Sequence, residues 1–191
     1  GMSTVQQIEH AFDILGDKDL AILHCTSTYP AKMEELNLKV INNLMKTFKV
    51  PVGYSGHETL LAPSLAAASI GANMIERHIT LDRAMWGSDH AASLEPGGFS
   101  KMVRDIRHLE KALGVPKKTI QKSEIPVFRK LAKSIVSFCK IHKGEKITRE
   151  MLTTKGPGTG FAPSKMDAII GRKATHEILE DTILKENMIR D

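Results

Sequence analysis

The sequence predicts an α/β chain on parallel strands, followed by a small domain of different texture. Three observations carry this. From Ser3 to Leu113, helix-type and strand-type segments alternate with short connections, the pattern of successive βα units. The first strand, Leu20-Ala21-Ile22-Leu23-His24-Cys25, is a nearly continuous apolar run of the kind found in strands covered on both faces. After Phe128, short β-type runs alternate with glycine-rich turns instead.

Taken in order, Ser3 and Thr4 can cap a helix whose apolar positions Val5, Ile8, Phe12 and Leu15 recur at helical spacing, with Gly16 as its stop. The strand Leu20–Cys25 ends in the loop Thr26-Ser27-Thr28-Tyr29-Pro30. A helix is expected over Met33–Phe48, with Leu36, Val40, Leu44 and Phe48 as its apolar stripe. Pro51–Tyr54 reads as the second strand, and Ala62–Ile70 as a helix with Pro63 in its first turn, stopped by Gly71. Asn73–Ile79 is the third strand. A long loop then leads to a helix from about Gly98 to Leu113, stopped by Gly114.

Val115–Phe128 is lysine-rich and punctuated by Pro116 and Pro126, so it reads as a linker. Beyond it come β-type runs at Ser134–Phe138, Lys140-Ile141 and Lys146-Ile147, with short helices at Arg149–Leu152 and Pro163–Ile169. Turns fall at Lys143-Gly144-Glu145, Gly156-Pro157-Gly158-Thr159-Gly160 and Glu180-Asp181. The expected division is therefore 1–114, a linker over 115–128, and a small mixed domain over 129–191. Three parallel strands leave two open edges, which folded proteins avoid. The first part is expected to be a fragment of a larger barrel, or to complete its sheet in another way, with Ile22 and Met74 on the inner face.

Composition excludes several classes. At 41% hydrophobic and 26% charged residues, the 191-residue chain is ordinary for a soluble globular protein. No apolar run approaches the roughly 18 residues that span a bilayer, and no secretory pattern opens the chain. The net charge of +5 is scattered, apart from a concentration at Lys117-Lys118, Lys122, Arg129-Lys130 and Lys133. Phe128 is the only aromatic residue within that cluster, so it does not read as a nucleic-acid platform. Cys25 and Cys139 are too few and too far apart for a disulfide framework, which fits a reducing cytoplasm.

The chemistry gathers where two strands end in polar clusters, Ser55-Gly56-His57-Glu58 and Glu76-Arg77-His78. Strand alternation puts Ser55 and His57 on one face, and Met74, Glu76 and His78 together on one face of the next strand. Polar groups at the C-terminal ends of parallel strands are how an α/β barrel builds an active site. Two histidines on neighbouring strands can share one metal ion; the competing reading is a pair of structural, hydrogen-bonded imidazoles.

HCTSTYP, VGYSGHE, IERHITLD and GSDHAASLEP, with the later Ser134-Ile135-Val136, Lys143-Gly144-Glu145-Lys146-Ile147-Thr148 and Met151-Leu152, resemble the sialic acid (N-acetylneuraminate) synthases. The resemblance runs over essentially the whole chain. It implies the C-terminal portion of a TIM (β/α)8 barrel, about three βα units, followed by an antifreeze-like SAF domain. The implied reaction joins phosphoenolpyruvate to N-acetylmannosamine or its 6-phosphate, and this fragment alone is expected to be inactive. His57 and His78 are the implied ligands of a divalent metal, Mn2+ or Mg2+, that polarises the sugar aldehyde. Ser55 is the implied phosphoenolpyruvate contact, and Tyr29 and Asp89 contact the amino sugar. Glu76 orients a ligand or a water, or is structural. Ser27 stands where many bacterial members have asparagine, as a polar site contact.

Two departures bear on the site. Gly56 stands where many bacterial members have aspartate, which brings the stretch closer to the animal-type synthases. In the second domain, Lys155-Gly156-Pro157-Gly158 replaces a Lys-Arg-Pro-Gly motif, so the arginine that a partner subunit's SAF domain brings to the substrate is missing at Gly156. A domain-swapped homodimer is implied for the full-length protein. The alternatives are a non-catalytic sugar-binding or interaction module, and a legionaminic or pseudaminic acid synthase.

Overall fold

The computed structural model describes residues 1–191, which divide into two compact units, Gly1–Pro116 and Lys117–Asp191. The first follows the expected alternation. Helix α1 spans Val5–Leu15, and its start is closed reciprocally: the Gln7 side chain accepts from the Thr4 backbone at 2.8 Å while Thr4 Oγ1 accepts from the Gln7 N–H. Strands β1 (Ile22–Cys25), β2 (Val52–Gly56) and β3 (Ile75–Arg77) form a parallel sheet in the order β1-β2-β3.

The single helix expected over 33–48 is two pieces, a 3-10 turn at Met33–Glu35 and helix α2 over Val40–Phe48. Asn37 between them takes φ = +44°, a left-handed conformation that a continuous helix cannot contain and that asparagine tolerates better than most residues. Helix α3 is Ala62–Ser69 with Pro63 in its first turn, and α4 is Pro96–Leu113.

Register decides which sheet face meets the helices. Ile22 lies beside Val52, His24 beside Tyr54, and Tyr54 beside Ile75, so these side chains share one face. Val52 and Tyr54 are fully buried there with Ile41, Leu44, Phe48 and Ala67, and Ile8, Phe12, Ile22 and Ile75 pack around them. Ile22 therefore belongs to the helix-covered face, not to the inner face assigned from the sequence. Leu23 and Cys25 lie on the opposite face with Gly53, Ser55 and Glu76. Met74 is on that face as expected, close against Gly53.

In the second unit the expected linker is partly helical. Helix α5 covers Ile125–Leu131, and Pro126 sits in its first turn, where proline's missing N–H costs nothing. Strand β4 (Ser134–Ser137) pairs antiparallel with β5 (Leu152–Lys155). The helix expected at 149–152 is therefore absent: its last residue, Leu152, starts a strand and is buried in the core. Helix α6 (Met166–Ile169) follows, then β6 (Lys173–Ala174) pairs antiparallel with β7 (Ile189–Arg190). The short runs at Ile141 and Lys146 make single bridges, to Ile178 and Lys173. Ile135, Ile141, Ile147, Ile169, Ile178 and Leu184 form the core. Cys25 and Cys139 are free and half-buried, and no helix is long and apolar enough to cross a membrane.

Candidate active site

The polar groups of the first unit collect where β1, β2 and β3 give way to loops. Ser55 lies beside Glu76 in the β2–β3 register, and its hydroxyl donates to Glu76 Oε1 at 2.8 Å. Just beyond the strands three rings meet. The Tyr29 centroid is 4.3 Å from that of His57 and 5.5 Å from that of His78, and the two imidazoles are 5.1 Å apart and nearly perpendicular. The Tyr29 loop is tied to β2 because the Ala31 N–H donates to the His57 carbonyl at 3.0 Å.

The two imidazoles differ in their outer contacts. His57 is buried, and its Nδ1 lies 3.0 Å from the Thr26 carbonyl. A carbonyl only accepts, so Nδ1 carries the hydrogen and Nε2 presents a lone pair. His78 Nδ1 faces Asp89 Oδ2 at 3.8 Å, an electrostatic contact longer than a hydrogen bond, with both side chains half-exposed. The loop carrying Asp89 is closed at its base: Leu94 N–H donates to the His78 carbonyl at 2.8 Å, and Thr80 N–H to the Leu94 carbonyl at 2.9 Å. Ser93 Oγ holds the Asp89 carbonyl at 2.7 Å, and Ser88 Oγ donates to Asp89 Oδ1 at 2.8 Å.

Of the residues singled out in the sequence, Tyr29, His57, His78 and Asp89 thus form one group, and Ser55 and Glu76 a bonded pair on the adjoining strand face. Ser27 stands at the margin. Its Oγ is 3.5 Å from Cys25 Sγ, which lies 3.7 Å from His57 Nδ1.

The imidazole pair fits a divalent ion. A ligating imidazole binds through nitrogen at about 2.0–2.1 Å, so its ring centre lies about 3 Å from the metal. Two such rings 5.1 Å apart can share one ion. The His57 Nδ1–Thr26 bond is the kind of outer contact that orients a ligating histidine. No group of three His, Cys, Asp or Glu side chains is gathered for ligation. The pair by itself offers two nitrogen donors, fewer than the four of a closed structural zinc site.

Sequence reasoning passed over what lies behind the histidines. Arg77, between Glu76 and His78, points to the opposite face of β3 and is paired with Glu58 at 2.9 Å, both side chains having no exposure. Its Nη1 also donates to the Leu60 carbonyl and to Ser64 Oγ, each at 3.0 Å. Nη2 donates to the Glu58 and Ala92 carbonyls, while Nε has no partner. Tyr54 OH donates to the other Glu58 oxygen at 2.8 Å. Burial, reinforced by the bond to Glu58, pushes the Tyr54 phenol far above its ordinary value, and burial lowers the Arg77 guanidinium. The signal was available: alternation sends Arg77 into the covered face, where a charge needs a partner.

Comparison with known proteins adds to this geometry. The NeuB family matches residues 1–118, and the SAF domain matches residues 133–190. The human N-acetylneuraminate-9-phosphate synthase is 40% identical over 193 residues, covering 99% of this chain and 54% of that protein. An N,N'-diacetyllegionaminic acid synthase of Campylobacter jejuni is also 40% identical, over 97% of this chain and 57% of its own length. The chain thus spans about half the length of the curated relatives it matches. A crystal structure of N-acetylneuraminic acid (sialic acid) synthetase from Leptospira borgpetersenii, in complex with citrate, matches 66% of this chain and 45% of that one, with a TM-score of 0.59 and 35% identity.

Proposed function

The chain belongs to the NeuB family and carries a SAF domain behind its NeuB part, and from that premise we propose that it serves a nonulosonic acid synthase of the N-acetylneuraminate type. The reaction would join phosphoenolpyruvate to N-acetylmannosamine or its 6-phosphate. The α/β unit would be the C-terminal part of a (β/α)8 barrel, whose remaining strands supply the cationic groups that a phosphorylated substrate needs. The observation that carries the reading is the meeting of Tyr29, His57 and His78 beside Asp89 at the ends of parallel strands.

In this reading His57 and His78 hold Mn2+ or Mg2+ through their Nε2 atoms. When bound, the ion supplies Lewis acidity toward the aldehyde of the sugar. The chain's own residues bind and orient. Asp89 accepts from sugar hydroxyls, and Tyr29 offers a ring face and a phenol at the mouth of the site. Ser55 would contact phosphoenolpyruvate by turning its one hydroxyl hydrogen from Glu76 to the substrate, and Ser27 adds a polar contact at the margin. Glu76 holds the Ser55 hydroxyl in the unbound site and could orient a water or be structural. The SAF domain would act on a partner subunit's site in a domain-swapped homodimer, in the cytoplasm.

Phosphate release from phosphoenolpyruvate by the full-length protein tests this, with free and 6-phosphorylated N-acetylmannosamine as acceptors. His57→Ala and His78→Ala should each remove most turnover and lower Mn2+ binding with the fold intact. Full turnover in either variant rules the assignment out. A legionaminic-type acceptor is the second reading, because a synthase of that name is as similar as the human enzyme. A di-N-acetylated amino sugar in the same assay separates the two.

A further inference from the structure

We propose that Arg77, with Glu58 as its counter-ion, is the positioning residue that sets the mutual geometry of His57, His78 and Asp89, an inference that rests on reading these three as one site. Arg77 is covalently next to His78, and its guanidinium never reaches the site, since strand alternation turns it to the other face of β3. What it holds are the bases of the three loops. Glu58 is covalently next to His57, and Arg77 grips it twice, at the carboxylate and at the backbone carbonyl. Nη1 fixes the Leu60 carbonyl and Ser64 Oγ, so the path from His57 into α3 is pinned at two further points.

The third loop is gripped at the Ala92 carbonyl, 3.4 Å from Nη2. That turn carries Asp89: the Ala92 N–H donates to the Asp89 carbonyl at 3.2 Å, and Ser93 Oγ to the same oxygen at 2.7 Å. One planar group thus spans the segments bearing all three site residues. Tyr54 completes the arrangement by taking the second Glu58 oxygen, which leaves that carboxylate one orientation. Gly56 leaves room for it, because a Cβ there would lie 2.8 Å from the Tyr54 ring, 2.9 Å from Glu58 Oε2 and 3.0 Å from Arg77 Cδ. The planar fork matters. Lysine keeps the charge but cannot hold carbonyls of different loops in one plane.

A purely structural ion pair predicts lost stability with unchanged ring geometry in the molecules that stay folded. Positioning predicts altered geometry in the folded protein. The test uses the full chain and the variants Arg77→Lys, Glu58→Gln and the apolar pair Arg77→Met/Glu58→Met. Nuclear Overhauser contacts among Tyr29, His57 and His78 are read without metal, and Mn2+ binding is then measured by calorimetry. In folded Arg77→Lys the ring contacts should weaken and Mn2+ affinity fall by at least about tenfold, the range found on removing outer contacts of metal ligands.

Ring contacts intact in the variants, with affinity within about twofold of the parent, would overturn the proposal. Should the single variants not fold, the apolar pair decides, since buried ion pairs often tolerate replacement by packed apolar side chains. Undisturbed ring contacts in that variant likewise overturn it. A parent chain that binds no Mn2+, yet loses its ring contacts when Arg77 is replaced, keeps the positioning role and removes the metal reading of the site.

Discussion

Replacing Gly56 by alanine should destabilise the first unit, although the same change at Gly97 should stabilise it. Neither glycine has a positive φ, so backbone strain plays no part in either case. Alanine in place of glycine narrows the unfolded ensemble, a gain of about 0.4–1 kcal/mol at both sites. At Gly97, in the first turn of α4, an added Cβ meets nothing within 4 Å, so the gain stands. At Gly56 the Cβ would press on the Tyr54 ring at 2.8 Å, on Glu58 Oε2 at 2.9 Å and on Arg77 Cδ at 3.0 Å. None of these is a flexible surface tip: Tyr54 and Glu58 have no exposure, and Glu58 is bonded from both sides. Overpacking of such a site costs about 1–3 kcal/mol, which at mid-range exceeds the entropic gain and leaves a net loss of about 1 kcal/mol.

Urea unfolding followed by far-ultraviolet circular dichroism measures the change. Hydrogen exchange read by mass spectrometry assigns it to residues 1–116, the first unit. Tryptophan fluorescence is a poor reporter because Trp86 is 99% exposed in the folded chain. Gly56→Ala at or above parent stability would refute the packing argument, and so would a loss of stability at Gly97→Ala.

Three further outcomes are expected. Tyr54 has a raised folded-state pKa, so its contribution is complete below the unfolded value of about 10 and is lost as pH rises beyond it. While the folded phenol remains protonated, that loss is about 1.4 kcal/mol per pH unit; Tyr54→Phe should flatten this alkaline slope, and an unchanged slope would remove Tyr54 as its source. Gly156→Arg restores the side chain of the Lys-Arg-Pro-Gly motif at a position where a Cβ meets only the Ala132 and Lys130 carbonyls, at 3.8 and 3.9 Å. It should leave stability within about 0.5 kcal/mol of the parent and, on the proposed synthase reading, lower KM for the amino sugar in the full-length protein; a large stability loss would contradict the open space. Along β1, which edges the sheet, Ile22 N–H donates to the Pro51 carbonyl at 3.0 Å, so alternate amides face β2. Leu23 and Cys25 amides should therefore exchange faster than those of Ile22 and His24 by NMR, and equal protection would mean the outer edge is covered.

Much of this protein is legible without coordinates because the physics involved is local. The Thr4 cap, Pro63 in a first turn, and the stops at Gly16 and Gly71 each depend on a few neighbouring residues, and all stand where the sequence puts them. Strand alternation grouped Met74 with Glu76 on one face of the third strand because its period of two does not depend on what packs above, and the register then sets Ser55 beside Glu76. The misplacements share a different cause. Asn37 leaves the helical region inside an otherwise periodic stretch, and Leu152 is drawn into a strand by pairing with Ser137. Ile22 takes the helix-covered face because its register with Val52 aligns it there. Glu58 and Arg77 are 19 residues apart and look like two surface charges until β2 and β3 lie side by side. A buried charge is tolerated only with its partner in place, and which partner arrives is a property of sheet register and loop path, quantities that no short window of residues contains.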